Sequence, residues 1–179
     1  MHTITTYTGR HIDPTDPDPA CFDIRDIAHA LSLTCRGNGH VKTFYSVGQH
    51  CISAAREALA RGYGARIALI CLLHDASEAY MSDVPRPFKH CLEKYLRMEE
   101  EMLGRIYAKF TGSRISAEEA AVLKQIDDDL LKYDLVQLLN ENIEGELPAM
   151  AAEHDRGVRT FESVEAEYLR LFAELSKQV

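Results

Sequence analysis

A chain of 179 residues is long enough to bury a substantial core and fits a single domain. Its 46% apolar and 27% charged residues exclude a disordered or fibrous protein, and a net charge of −8 excludes broad electrostatic capture of duplex nucleic acid. A small anionic ligand stays compatible with that charge, because a metal ion and a few local cations outweigh a weak global field.

In chain order, residues 1–22 read as an extended lead-in rich in Thr, Asp and Pro, with strand-like alternation only at 3–7. The first residues lack a basic segment followed by an apolar run, and the longest apolar stretch, 67–73, is too short for a bilayer. The expectation is a cytoplasmic protein that does not engage a membrane. Helical periodicity starts at Asp23, with a short helix over 23–32 and then the Gly-rich loop Arg36-Gly-Asn-Gly-His40. A second helix is predicted over 46–60, stopped by Gly62 or Gly64.

The third helix, 65–80, is apolar on every face at 67–73, as expected of a helix surrounded by other helices. Asp83-Val-Pro-Arg-Pro87 then reads as a loop, since two close prolines interrupt a helix. A fourth helix over 88–110 carries Leu92, Leu96, Leu103, Ile106 and Phe110 on its inner stripe. Ser116 and Glu119 form a capping box that opens a fifth helix reaching about 142. The last begins near Thr160, with Phe161, Val164, Tyr168, Leu171, Phe172 and Leu175 at helical spacing. The five cysteines, Cys21, Cys35, Cys51, Cys71 and Cys91, are scattered without a C-x-x-C pair and read as reduced, mostly buried thiols. No repeat or linker divides the chain, so the prediction is one all-α domain over 1–179.

His50 and His74 lie equally far in sequence from Gly62. Two antiparallel helices joined there hold both imidazoles at one height, and two nitrogen ligands across one interface suit a transition metal. Asp75 adds a carboxylate whose burial a metal would explain. An isolated His-Asp pair more often ends a helix near solvent; the apolar run before it and the matched His50 reverse that preference. A fourth ligand is expected from Asp127-Asp-Asp129. Asp127 interrupts a stripe of Leu123, Leu130 and Leu131, whereas Asp129 neighbours Ile126 and is not excluded by helical phase.

A His, a His-Asp pair two dozen residues on, and a distant helical Asp resemble the HD-domain metal-dependent phosphohydrolases. The segment from His74 to Lys89, with Ser46-Val-Gly-Gln-His50 and Leu123-Lys-Gln-Ile-Asp127, is similar to their bacterial 5′-deoxynucleotidase-like branch. The likeness covers 23–139. It implies a helical bundle whose central buried helix carries the His-Asp pair. It also implies one divalent ion (Co, Mn, Zn, Fe, Ni or Mg) on His50, His74, Asp75 and Asp127, choosing Asp127 over Asp129. Glu78, four residues after His74 and so predicted on its helical face, takes the role of orienting or deprotonating water. Asp83 takes part in proton transfer or water positioning, and Arg36 contacts phosphate. Taken alone, Glu78 reads as a solvent-facing helix residue, and Asp83 reads equally well as a loop-start or capping residue.

Lys89 is a candidate substrate contact, among further possible cations Lys42, Arg86 and Lys124. Many relatives carry a bulky aromatic after the Arg where this chain has Gly37, which puts deoxyribose preference in question. The expected activity is phosphate release from (deoxy)nucleoside 5′-monophosphates, by a homodimer or larger homo-oligomer. The alternatives are a compact nucleoside triphosphohydrolase and a non-catalytic nucleotide-binding regulatory module. His29 and His40 are read as structural or substrate-side residues, and His2, His11, His90 and His154 as lacking a constellation.

Overall fold

The computed structural model describes residues 3–179, so His2 lies outside the described residues. The lead-in is not merely extended. Ile4–Thr5 (β1) and His11–Ile12 (β2) pair antiparallel, and a 3-10 turn follows at Pro19–Cys21. The hairpin turns at Gly9, whose φ of 80° suits a residue without a side chain. Asp26 ties it down, accepting from the backbone N–H of Thr8 at 2.6 Å and its hydroxyl at 2.9 Å. Ile12 is thereby pressed into the core.

Helices form the rest of the regular structure: α1 (Ile24–Leu33), α2 (Val47–Ala60), α3 (Gly64–Leu73), α4 (Glu78–Met81), α5 (Arg86–Lys89), α6 (Glu93–Thr111), α7 (Ala117–Leu139) and α8 (Phe161–Leu175). The fold is all-α, and no helix among the described residues is long and apolar enough to cross a membrane. The thiols are all free; Cys51 and Cys71 are buried and Cys91 is exposed.

The apolar run of α3 does what its composition demands. Every residue from Ala68 to Leu73 is fully buried, with α2, α6, α7 and α8 packed around it. Each such leucine or isoleucine contributes about 1.5–3 kcal/mol through removal from water. Beside it, α2 opens with a reciprocal capping box between Ser46 and Gln49 that periodicity alone does not reveal. Its Gly48 permits close packing: a Cβ there would sit 3.1 Å from Val164 Cγ1 and 3.3 Å from the Leu31 carbonyl. The first turn of α2 is thus locked against α1 and α8, which sets the height of His50.

Three boundaries differ from the sequence expectation. The third helix does not run to 80; it stops at Leu73 and α4 resumes at Glu78. Side chains take the carbonyls that would continue it. His74 Nδ1 bonds the Cys71 carbonyl at 2.7 Å, and the Tyr168 hydroxyl donates to that of Leu72 at 2.6 Å. The Ala76 N–H then reaches only back to Leu73. Pro87 is not in a loop but in the first turn of α5, where its missing N–H costs nothing, and the predicted fourth helix is split into α5 and α6. The fifth helix ends at Leu139, closed by Asn140 with a left-handed φ of 58°.

Candidate metal centre

The α2–α3 hairpin brings His50 and His74 together as the spacing predicts, their ring centroids 5.1 Å apart. Both are buried. Asp75 follows His74 into the same space, and His50, His74 and Asp75 form a group able to hold a metal ion. Asp127 reaches it from α7. His50 Nε2 lies 3.0 Å from Asp127 Oδ1 and 4.0 Å from Asp75 Oδ2; His74 Nε2 lies 3.2 Å from Asp75 Oδ2 and 3.7 Å from Asp127 Oδ1. Ligand atoms at about 2.1 Å from one ion would be about 3.0 Å apart when adjacent and about 4.2 Å apart when opposite. The separations fall near that range.

Proton placement follows from the other ring nitrogens. His74 Nδ1 faces a carbonyl acceptor, so it carries hydrogen and a neutral ring presents an Nε2 lone pair. That buried Nε2 has no hydrogen-bond partner. His50 Nε2 is within hydrogen-bond distance of Asp127 Oδ1, and two ring nitrogens facing two carboxylates need a cation among them, either a proton or a metal. Burial alone would lower the His74 pKa, but Asp75, Cys51 and Asp127 raise it well above its usual value. Burial alone would raise the pKa values of Asp75 and Asp127. The histidines, with Arg36 beside Asp75, instead hold both well below the ordinary carboxylate range. The donor set fits a divalent transition ion.

The aspartate triplet divides by role. Asp127 faces the imidazoles, and its Oδ2 is gripped by Arg86, whose guanidinium also bonds Asp128 at 2.7 Å. Asp129 points elsewhere, paired with Arg61 at 3.0 Å. Glu78 does not share a helical face with His74, because the helix breaks between them, yet α4 returns it to the cavity. It is buried, its Oε2 has no partner, and burial with the charges of Asp75 and Asp83 pushes its pKa well up. Asp83 Oδ2 accepts the Gly37 N–H at 3.2 Å, tying the two loops of the rim. Arg36 Nη1 sits 3.3 Å from Asp75, and Lys89 is held by Glu99 at 2.7 Å with Glu78 at 3.6 Å. Lys42 and Lys124 do not line the cavity.

One residue of the site was not singled out from sequence. Asp134, seven residues after Asp127 on α7, lies 3.3 Å from His50 Nδ1; its helical spacing was the available signal. Arg86, one of the further cations considered from sequence, lines the cavity but is paired with Asp127 and Asp128. Among the other histidines, His40 lines the cavity, while His29 stacks on Tyr7 at 3.7 Å and bonds Glu165. His154, read as isolated, instead bonds the buried Glu57 at 2.9 Å.

The cavity has a volume of about 540 Å³, within the usual size of small-molecule sites. Its lining joins those charged groups to apolar side chains: Leu131, Leu135, Leu138 and Leu139 from the face of α7 that bears Asp127, with Val41 and Val84.

No family model matches the chain. It is 38% identical over 110 residues to the uncharacterized protein YfdR of Escherichia coli, covering 62% of this chain and 59% of that protein. It is 35% identical over 109 residues to an uncharacterized protein of Rhodobacter capsulatus, covering 58% and 55%. The matches thus span little more than half the length of either relative, and neither relative's name carries an activity.

Proposed function

We propose that the protein is a metal-dependent phosphohydrolase of the HD-domain type, releasing phosphate from (deoxy)nucleoside 5′-monophosphates. The observation that carries this reading is the pair of buried imidazole Nε2 atoms turned toward the carboxylates of Asp75 and Asp127 in a cavity that also has apolar side chains in its lining. His50, His74, Asp75 and Asp127 would hold one divalent ion. When bound, such an ion screens phosphoryl charge and lowers the pKa of a water it contacts toward about 7.

The chain's own groups supply the rest. Arg36, pinned by Asp75 and Asp134, offers guanidinium N–H groups to phosphate oxygens. Glu78 lines the cavity with an unpartnered Oε2, and burial with the charges of Asp75 and Asp83 raises its pKa, which suits it to exchange a proton with the attacking water. Asp83, held on the rim by Gly37, is available to the leaving oxygen. The leucines of α7 shelter the nucleoside from water.

Charge favours a monophosphate. Five acidic side chains line the cavity (Asp75, Glu78, Asp83, Asp127 and Asp134) against three strong cations, Arg36, Arg86 and Lys89. Arg86 and Lys89 are already paired with carboxylates, so little positive charge is left for a longer phosphate chain. Gly37 adopts φ 60°, and a Cβ there would lie 3.6 Å from Leu139. Lacking a side chain, it leaves the sugar end open, and a small deoxy-over-ribo preference is expected.

The test compares kcat/KM for dAMP, AMP and dATP with added cobalt, manganese or zinc. The expected order places both monophosphates above dATP, with a modest dAMP preference. Intact triphosphate leaving dATP at higher kcat/KM would replace this reading with a triphosphohydrolase. No turnover with any metal would favour a binding module.

A further inference from the structure

Asp134 is buried against the metal centre without belonging to the ligand set. Only 3% of it is exposed. Its Oδ1 accepts from Arg156 Nε at 2.8 Å, while Oδ2 lies 3.3 Å from His50 Nδ1 and 3.7 Å from Arg36 Nε. Both His50 Nδ1 and Asp134 Oδ2 are buried and make no hydrogen bond among the described residues, so each is left facing the other. We propose that Asp134 is a positioning residue that holds the His50 proton on Nδ1, turns the Nε2 lone pair toward the ion, and ties that ligand to Arg36.

The inference rests on the metal reading above and concerns how the chain prepares for the ion. An imidazole has one lone pair to give, and the hydrogen bond at its other nitrogen decides which atom gives it. For His74 that partner is a backbone carbonyl. For His50, in the first turn of α2, Nε2 faces the proposed ligand Asp127 at 3.0 Å, and the carboxylate facing Nδ1 is Asp134. An ionised carboxylate there also makes the ring a more basic ligand. The guanidinium groups of Arg36 and Arg156 flank the carboxylate and compensate its buried charge. Arg36 touches both Asp134 and Asp75, so the same carboxylate links a nitrogen ligand to the phosphate-facing guanidinium.

A carboxylate serving only as counter-ion to Arg156 would leave proton placement and metal affinity unmoved. Nitrogen NMR of the histidine rings in the metal-free full-length protein reads the first, and chelator competition for cobalt(II) reads the second. Wild type should carry hydrogen on His50 Nδ1. Asp134→Asn, whose amide can turn its NH2 toward Nδ1 and drive the ring proton to Nε2, should bind cobalt(II) roughly 10–100-fold more weakly while still melting cooperatively. Arg156→Lys, which keeps the carboxylate and a cation beside it, should stay within about 2-fold of wild type, well inside the loss expected for the carboxylate.

An unprotonated Nδ1 in wild type would overturn the proposal, as would cobalt(II) affinity within about 2-fold in a folded Asp134→Asn, because a lost orienting partner costs more. Should that variant fail to fold, the wild-type proton position decides alone. No arm reads turnover. A metal-binding but inactive protein would therefore refute the phosphohydrolase reading while leaving this one standing.

Discussion

Exchanging Glu78 for glutamine keeps its shape and removes its proton chemistry, so the variant separates metal holding from catalysis. Glu78 lies beside the proposed ligands rather than among them, and its Oε2 has no partner to lose. Glu78→Gln should keep the wild-type metal content and melting behaviour while turnover falls by roughly 10²–10⁴. Near wild-type turnover at saturating metal and substrate would remove Glu78 from the mechanism. At this scale the group that could hold a metal was largely legible: His50 and His74 through their symmetry about Gly62, Asp75 through the apolar run before it. Spacing favours Asp127 over Asp129 only modestly, because Asp129 too has an apolar neighbour, Ile126. What separates them is tertiary, the imidazoles on one side and Arg61 on the other. Asp134 was passed over because a lone acidic residue on a long helix is usually solvated. Its burial depends on Arg36 and Arg156, which are remote in sequence.

The end of α3 shows how an element boundary can be set by groups outside it. The carbonyls of Cys71, Leu72 and Leu73 are taken by His74 Nδ1, the Tyr168 hydroxyl and the Ala76 N–H. Two of these caps come from side chains, one of them the proposed ligand itself, and the other arrives from α8. Local propensity over 65–80 therefore read as one continuous helix. Tyr168→Phe removes a fully buried hydroxyl and leaves the Leu72 carbonyl without its donor. The expected loss in urea unfolding is about 1–3 kcal/mol, the usual scale for stranding a buried acceptor. An unchanged unfolding midpoint would show that the hydroxyl does not cap the helix. The capped starts at Ser116 and Thr160 were legible because their signals are local.

Across the whole molecule, α2 and α7 are held together from both ends of the site. At the candidate site they meet through His50, Asp127 and Asp134; farther along, Arg61 bridges Glu57 and Asp129. Glu57 is fully buried and also accepts the N–H groups of Ala151 and Ala152 at 2.8 and 3.0 Å, with His154 at 2.9 Å. Residues 141–160 contain no helix or strand, yet this carboxylate fastens them to α2. No sequence pattern announces such a contact, because the partners are far apart in the chain. The all-α architecture and central buried helix were legible from periodicity and composition, since those signals need only neighbours.

The most direct test of the central claim is elemental analysis of the purified protein and two variants. Wild type should hold close to one divalent transition ion per chain, and His50→Ala and Asp127→Ala should each lose most of it while remaining folded. Metal content unchanged in both variants would contradict the assignment of this centre.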